Sequence, residues 1–348
     1  MTPSGAGLRP MHLRSSLHET IWGGQNLARY AGKVVPPGAK VGESWETETG
    51  AQVINPPYQG RSLGDLVAQL GEPLLGTQAL AVFGPRFPLL AKFIDAQDKL
   101  SVQTHPSDEY ARQHEGGKLG KTEAWYILHA DPGAALIHGL RRSASRDEVR
   151  QAIADVTLES LLHEEPVQAG DVVFVPAGTV HAINAGIILY ELQEYSDVTY
   201  RLYDYGRLTA EGKPRELHVD KALDVMDYEP TPIHKVQPVV LNDAPDGTLQ
   251  RCLVACRYFV LEELAFGGPL TETTHDTSCQ ILSLLDGACR LSAGQDEPLA
   301  LAKGDTVVLP AALGFYRIEN TESARCRLLR SYVPTPDDTL LRRFWSAQ

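Results

Sequence analysis

The sequence has no apolar run that approaches the roughly 20 residues of a membrane-spanning helix. Its N-terminal residues also lack the apolar core of a secretory signal. Positive charge is not in excess either, because the 348 residues carry a formal net charge of −12. We therefore expect no membrane and no nucleic acid as partners. An anionic substrate would need positive charge that is concentrated locally in its binding site.

Cysteine is scarce, and the number of cysteines is odd. The five residues lie late in the chain, at spacings that match neither a zinc knuckle nor a redox Cys-x-x-Cys motif: Cys252, Cys256, Cys279, Cys289 and Cys326. Free, mostly buried thiols are therefore the expected state. Unpaired cysteines indicate the cytoplasm as the compartment.

Apolar runs are short, and proline and glycine separate them about every ten residues. This pattern predicts a mostly β protein with antiparallel sheets in a sandwich or barrel. The predicted strands include residues 87–94, 124–128, 172–175, 187–192 and 306–309. Helical periodicity predicts fewer helices, at residues 63–70, 107–114, 145–154, 158–163 and 217–226. Ser145 and Glu148 form a capping-box pattern that marks one helix start.

The segment 229–246 is rich in proline and aspartate, and we interpret it as a linker. It divides the chain into a larger unit at residues 1–228 and a smaller unit at residues 247–348.

The two units look like distant copies of each other. Gly170-Asp171, an apolar run and Pro-Ala recur as Gly304-Asp305, an apolar run and Pro-Ala, at an offset of 134 residues. In this register Phe315 stands where the first unit has His181. The second copy is therefore predicted to serve packing and to carry no metal ligand at that position.

The run from Gly170 to His181 follows the pattern Gly-x5-Pro-x-Gly-x2-His. This pattern resembles the second signature motif of the cupin β-barrel superfamily, and Gln103-Thr104-His105 stands in the place of the first. Residues two apart on a strand share a face, so Gln103 and His105 can both point inward. With Glu123 and His181 they provide two imidazoles, a carboxylate and an amide oxygen. This set suits zinc with an open position, while Mn, Fe and Co stay open because donor type discriminates weakly among them.

The cupin resemblance implies the fold class: two cupin-type β-barrel or jelly-roll units, the first with a helical insertion and the second degenerate. More specific segments resemble the type I phosphomannose isomerase family in its short bacterial form. They are AQDKLSVQTHP at 96–106, GKTEAW at 120–125, the run that ends at His181, and SDVTYRLYD at 196–204. The resemblance implies a reversible interconversion of mannose 6-phosphate and fructose 6-phosphate, with a sugar-phosphate substrate and one zinc ion per chain.

Carried over by motif, the family's metal ligands are Gln103, His105, Glu123 and His181. Its essential arginine is Arg201, and Lys121 and Glu191 match further positions of its pocket.

Aldose–ketose isomerisation moves a proton between C2 and C1 through a cis-enediol or enediolate. We expect Arg201 to stabilise the enediolate charge, because arginine keeps its proton in proteins. Lys121 is the expected proton carrier, since a nearby metal cation favours the neutral amine; Glu191 and a metal-bound water stay open as alternatives. Arg207 is the expected phosphate contact.

Two other functions stay open at this point. One is a metal-dependent cupin isomerase that acts on another hexose or hexose phosphate. The other is a non-enzymatic, sugar-binding protein with two cupin units, although such a protein would have no need for the group Lys121, Glu123 and Arg201. We expect a monomer or a weak homo-oligomer.

Overall fold

A computed structural model of the chain describes residues 7–208, 212–294 and 297–348. Residues 1–6 and 209–211 of the predicted unit 1–228, and residues 295–296 of the predicted second unit, lie outside the described part. Within these ranges the strands are β1 Met11–Leu13, β2 Ser16–Gly24, β3 Val41–Trp45, β4 Leu89–Ala96, β5 Val102–Thr104, β6 Glu123–Ala130, β7 Ala135–Leu140, β8 Leu162–Pro166, β9 Val172–Val175, β10 His181–Ile183, β11 Ile187–Glu194, β12 Tyr200–Tyr203, β13 Val239–Asp243, β14 Leu249–Ala255, β15 Val260–Phe266, β16 Leu270–Thr273, β17 Gln280–Asp286, β18 Ala288–Ala293, β19 Leu299–Ala302, β20 Thr306–Leu309, β21 Phe315–Asn320 and β22 Cys326–Tyr332.

The α-helices of the same ranges are α1 Leu27–Ala31, α2 Leu63–Leu70, α3 Glu72–Leu75, α4 Thr77–Phe83, α5 Asp108–His114, α6 Arg146–Ala154, α7 Val219–Val225 and α8 Thr339–Trp345. Short 3-10 turns cover Leu158–Leu161 and Ala311–Leu313. No helix of the described residues is long and apolar enough to cross a membrane.

The described strands form four antiparallel sheets, which confirms the mostly β prediction. The first part of the chain builds a five-stranded sheet, β12-β5-β10-β7-β8, and a six-stranded sheet, β2-β3-β4-β11-β6-β9. The later part builds a seven-stranded sheet, β1-β20-β17-β22-β15-β14-β13, and a four-stranded sheet, β16-β21-β18-β19. The seven-stranded sheet also takes up β1 from the start of the chain, which pairs with β20.

The sheets stack in the order five, six, seven and four, because each neighbouring pair shares an apolar core. Between the five- and six-stranded sheets lie Trp125, Ile127, Leu136, Val173 and Ile183. Between the six- and seven-stranded sheets lie Phe93, Tyr190, Leu261, Ile281 and Leu329. Between the seven- and four-stranded sheets lie Phe266, Leu282, Leu291, Val307 and Ile318. Since both its faces are covered, β11 is buried along its whole length, as expected for a strand between two cores.

Most predicted elements appear where local sequence signals placed them. The helix predicted at 63–70 is α2, and the strands predicted at 172–175 and 306–309 are β9 and β20. The helix start predicted at Ser145 also forms, because Ser145 Oγ accepts the backbone N–H of Glu148 at 3.1 Å, while the Glu148 carboxylate binds Arg142 and does not complete the capping box. The five cysteines are buried and free, as expected.

The helix predicted at 158–163 is wrong. Only a 3-10 turn forms at Leu158–Leu161, and the chain then enters β8, which pairs with β7. The apolar spacing fits either structure over so few residues, and the ladder with β7 decides the outcome. The predicted linker 229–246 also contains a strand, β13, which pairs with β14. The boundaries of the two units stay a prediction.

The internal repeat is visible in the backbone. Gly170 and Gly304 both have positive φ values, of 94° and 91°, a conformation that glycine adopts without strain. The N–H of Gly170 donates to the Ile127 carbonyl at 2.8 Å, and that of Gly304 donates to the Leu284 carbonyl at 2.8 Å. The same turn therefore leads into β9 in the first unit and into β20 in the second.

Candidate active site and metal centre

Three predicted site residues lie side by side on the five-stranded sheet. Across β10, β5 and β12, Gln103 pairs with His181 on one side and with Arg201 on the other. Paired residues of an antiparallel ladder point to the same face, which here is turned toward the six-stranded sheet. His105 follows β5 directly, and its carbonyl oxygen accepts the N–H of Gly178 at 2.9 Å. This bond joins the two sequence motifs in space.

The six-stranded sheet supplies the acidic residue of the site. Glu123, the first residue of β6, is fully buried. Its Oε1 lies 3.2 Å from His105 Nε2, and its Oε2 lies 3.8 Å from His181 Nε2. One possible ligand atom of each residue lies within 4.8 Å of the other two. The structure thus brings three predicted metal ligands together, with Gln103 beside them.

The two imidazoles are oriented by backbone carbonyls. His105 Nδ1 lies 2.9 Å from the Val198 carbonyl oxygen, and His181 Nδ1 lies 2.9 Å from that of Thr179. Because a carbonyl only accepts, each Nδ1 carries the hydrogen and each Nε2 keeps a lone pair directed at Glu123.

These lone pairs show that the site fits a cation. His181 Nε2 and Glu123 Oε2 are buried, and neither has a hydrogen-bond partner in the described part of the chain. Two buried acceptors that face each other without a donor are unfavourable. A divalent ion about 2.1 Å from each donor atom would satisfy both, and the separations of 3.2 and 3.8 Å leave room for it.

The protonation states also suit metal binding, which needs neutral imidazoles and an ionised carboxylate. Burial, followed by the charge of Lys121, lowers the pKa of His105 to about 3. Burial likewise lowers the pKa of His181. For Glu123 burial acts in the opposite direction and raises the pKa, but the charge of Lys121 holds it well below the usual value.

A cavity of about 320 Å³ opens beside this centre. Four predicted site residues line it, namely Gln103, Lys121, Glu191 and Arg201. Lys121 is buried, and its Nζ lies 2.6 Å from Glu123 Oε1 and 3.3 Å from His105 Nε2. A ligand in the cavity would therefore touch cationic and acidic groups next to the candidate metal ligands.

Known proteins share this architecture. The family model for the phosphomannose isomerase type I catalytic domain matches residues 11–132. The mannose-6-phosphate isomerase of Streptococcus mutans is 37% identical over 315 residues, which cover 89% of this chain and 95% of that protein. The chain belongs to the type I phosphomannose isomerase family. Mannose-6-phosphate isomerase ManA of Bacillus subtilis is 36% identical over 89% of this chain and 96% of its own length.

Among solved structures, the crystal structure of a mannose 6-phosphate isomerase from Bacillus subtilis aligns with a TM-score of 0.80 at 33% identity. The alignment covers 92% of this chain and 99% of that one. The family resemblance drawn from the sequence segments is thus confirmed over nearly the whole chain, including the later sheets, where the motif resemblance fades.

This member of the phosphomannose isomerase family holds a buried charge group that the sequence analysis missed. Lys92, in the middle of β4, lines the cavity with Glu43 and Trp45. Its Nζ lies 3.2 Å from Glu191 Oε1, 3.7 Å from Glu43 Oε2 and 4.9 Å from the centre of the Trp45 ring. A lysine inside a mostly apolar strand was the available signal, because buried lysines are rare unless paired.

Glu191 lies between this group and the metal centre. Burial, and next the charge of Glu123, raise the pKa of Glu191. Its Oε2 accepts the indole N–H of Trp125 at 3.0 Å.

The predicted arginines are not both at the cavity. Arg201 lines it, with Nε donating to Ser101 Oγ at 3.2 Å and Nη1 donating to the Glu216 carbonyl at 2.8 Å. Arg207 does not line it; its guanidinium binds the Asp204 carboxylate at 2.5 Å and stacks on Tyr205. Arg215, which no motif singled out, lines the cavity instead.

Proposed function

We propose that this chain catalyses the reversible isomerisation of mannose 6-phosphate and fructose 6-phosphate with one zinc ion, held by His105, Glu123 and His181 with Gln103 beside them. The observation that carries the proposal is the pair of unpartnered buried acceptors, His181 Nε2 and Glu123 Oε2, beside a cavity lined by Lys121 and Arg201. Relatives of the same family at 36 and 37% identity are named for this activity. When bound, zinc would supply Lewis-acid polarisation of the sugar oxygens.

Arg201 is suited to stabilise the negative charge of the enediolate. It is fixed by Ser101 and by the Glu216 carbonyl, so its guanidinium is held in place before substrate binds. Burial, and next the nearby charge of Arg215, lower the pKa of Arg201, yet arginine remains the cation under all working conditions. A preorganised cation aimed at developing charge contributes several kcal/mol to catalysis, about 3 or more in comparable cases.

A group other than Arg201 must transfer the proton between C1 and C2 of the sugar. Lys121 Nζ lines the cavity next to Glu123 and is our proposed carrier. Glu191 is the alternative, because it lines the same cavity and burial, followed by the charge of Glu123, raises its pKa above that of an ordinary carboxyl.

The phosphate needs a cation that is directed into the cavity. Arg215 meets this condition, and its guanidinium is held by the Asp204 carboxylate through a 2.7 Å bond from Nε to Oδ2. Arginine binds phosphate with paired N–H groups. We therefore propose Arg215 as the phosphate contact in place of Arg207, because both guanidinium groups bind Asp204 but only that of Arg215 belongs to a residue lining the cavity. A cytoplasmic location, the absence of nucleic-acid partners and a monomeric or weakly oligomeric state stay proposals.

The test combines metal analysis with turnover. The purified chain should contain close to one zinc ion, and removal by a chelator should abolish conversion of mannose 6-phosphate until zinc is restored. His181→Ala should lose metal and turnover together. His129→Ala is the matched control, because its ring lies near the surface, 3.0 Å from Asp131 and stacked on Tyr30, and it should keep both.

Turnover that survives complete metal removal, or full metal content in His181→Ala, would contradict the proposed centre. A substrate panel separates the alternatives. Faster conversion of glucose 6-phosphate or free mannose would assign the site to another sugar, and no conversion of any sugar would favour the non-enzymatic binding protein.

A further inference from the structure

A second group of metal-binding side chains lies at the edge of the five-stranded sheet, away from the cavity. His163 and Glu165 are two residues apart on β8 and therefore share a face. His234 reaches them from the segment between α7 and β13. One possible ligand atom of each residue lies within 4.8 Å of the other two. Neither the family motifs nor the proposed isomerisation uses any of these residues.

The ring of His234 is oriented as metal-binding imidazoles usually are. His138 Nε2 lies 3.0 Å from the Phe174 carbonyl oxygen, so Nε2 carries the hydrogen and Nδ1 is the acceptor. His138 Nδ1 lies 3.2 Å from His234 Nδ1, which must then be the donor. His234 is left with its lone pair on Nε2. A fixed partner on the other nitrogen is the usual support of a ligating histidine.

The remaining two ligands are close and accessible. His163 Nε2 lies 3.2 Å from Glu165 Oε2, and the rings of His163 and His234 stack with centroids 3.9 Å apart. The two rings are nearly parallel, so their in-plane lone pairs run side by side, and the partly exposed ring of His163 has to turn for both nitrogens to bind one ion. The side chains of His163 and Glu165 are 31% and 16% exposed, so an ion can enter from solvent, in contrast to the closed centre at Glu123.

The charge balance leaves one carboxylate oxygen free for a cation. Lys235 Nζ lies 3.3 Å from Glu165 Oε1 and 3.3 Å from Asp171 Oδ2, so it neutralises the far side of Glu165. Oε2 faces His163 and stays available. With Asp171 included, two carboxylates face one lysine, so the group carries one excess negative charge when its histidines are neutral.

We propose that His163, Glu165 and His234 form a second binding site for a divalent transition-metal ion, separate from the catalytic centre. Two imidazoles and a carboxylate are donors for zinc, nickel and copper, and they bind calcium or magnesium poorly. Because the site is open and has three protein ligands, water fills its remaining positions. It therefore binds more weakly than the buried centre and exchanges its ion faster.

The test uses the full chain with its catalytic centre already loaded with zinc and with no affinity tag. Equilibrium dialysis against micromolar free Ni²⁺, followed by metal analysis, should find one further equivalent per chain. His163→Ala and His234→Ala should each weaken this binding by at least about 100-fold, since loss of a ligand exceeds the 10–100-fold effect of losing an outer partner. Both variants should keep the catalytic zinc and normal turnover.

His129→Ala is the control, because His129 also contacts a carboxylate but belongs to no group of three possible metal ligands among the described residues. It should bind the further equivalent as the parent chain does. With Cu²⁺ as the probe, electron paramagnetic resonance of the parent chain should show coupling to two imidazole nitrogens. His163→Ala and His234→Ala should each show coupling to only one.

Absence of a further equivalent in the parent chain would overturn the proposal, as would its persistence in both histidine variants. Neither result depends on isomerase activity. If the catalytic proposal failed instead, turnover would not depend on the zinc ion bound at the buried centre.

Discussion

The buried charge of Lys92 is predicted to contribute strongly to the stability of the fold around the site. Its side chain is 9% exposed and that of Glu191 is 5% exposed, with 3.2 Å between the charged atoms. Glu43 lies 3.7 Å away on the other side. Burial opposes the lysine charge, but Glu191 and then Glu43 more than compensate and raise the pKa of Lys92. The change Lys92→Met keeps the length of the apolar chain and removes only the charge.

The size of the effect follows from the distance and the burial. At an effective dielectric constant of about 20, unit charges 3.2 Å apart interact with about 5 kcal/mol. Removing one partner of a buried pair typically lowers the free energy of unfolding by about 3–5 kcal/mol, because the other charge is left without compensation. We expect a loss in that range for Lys92→Met.

Lys99→Met is the matched control. Lys99 Nζ lies 3.3 Å from Glu159 Oε1, nearly the same separation, but the two side chains are 44% and 53% exposed. Solvent screening limits such pairs to about 1 kcal/mol or less. The two variants thus make the same chemical change at the same distance and differ in burial.

The assay is urea unfolding of the metal-loaded chain, followed by tryptophan fluorescence, with the shift in free energy taken from the transition midpoints and slopes. Glu191→Gln in the Lys92→Met background should recover part of the loss, because it removes the unpaired charge. Equal losses in Lys92→Met and Lys99→Met, within about 1 kcal/mol, would refute burial as the reason that this pair matters.

Three further predictions concern catalysis and pH. Arg215→Ala should raise KM for mannose 6-phosphate at least about tenfold while Arg207→Ala changes it less than about threefold; equal effects would reject Arg215 as the phosphate contact. Lys121→Met should lower kcat by more than about tenfold with its zinc retained, and smaller losses would exclude it as the obligatory proton carrier. Burial raises the pKa of Glu194 to about 8, above its unfolded value, so its contribution to stability is present at low pH and lost as pH rises through 8. Glu194→Gln should therefore flatten the decline in Tm between pH 5 and 9, and an unchanged pH profile would contradict this sign.

Local signals account for what the sequence predicted well. The capping serine Ser145 and the apolar period of α2 act over one or two turns of chain. His105, Glu123 and His181, which the structure brings together, each lie in a short sequence motif. The residues that were missed depend on partners far away in sequence. Lys92 is explained by Glu191 across the ladder and by Glu43 on the other neighbouring strand.

The same reason explains the elements that were predicted wrongly or not at all. The strands β8 and β13 exist because β7 and β14 pair with them, and neither partner can be read from the local sequence. His234 lies in a segment interpreted as a linker, where proline and aspartate hid its position against the sheet. Arg215 follows no motif, and only the fold turns it toward the cavity.

Both units have a buried charge pair at the same register position of the repeat. Glu191 pairs with Lys92 and Trp125, and Arg330 pairs with Glu262 and Leu282 at the corresponding places. The signs are exchanged, and Arg330 Nε donates to Glu262 Oε2 at 2.7 Å. A buried ion pair at this position is therefore a property of the sheet and does not by itself indicate catalysis.

The proposed metal ligands of the first unit have no counterparts that could bind a metal in the second. Glu123 pairs with Val175, and Gln280 pairs with Leu309 at the same register. Gln280 Oε1 accepts the hydroxyl of Tyr316 at 2.7 Å, so this oxygen is satisfied without an ion. The place of His181 is taken by Phe315, which is 77% exposed and offers no ligand. Replacing Gln280 by Glu would consequently bury an unpaired charge and would not create a second metal centre.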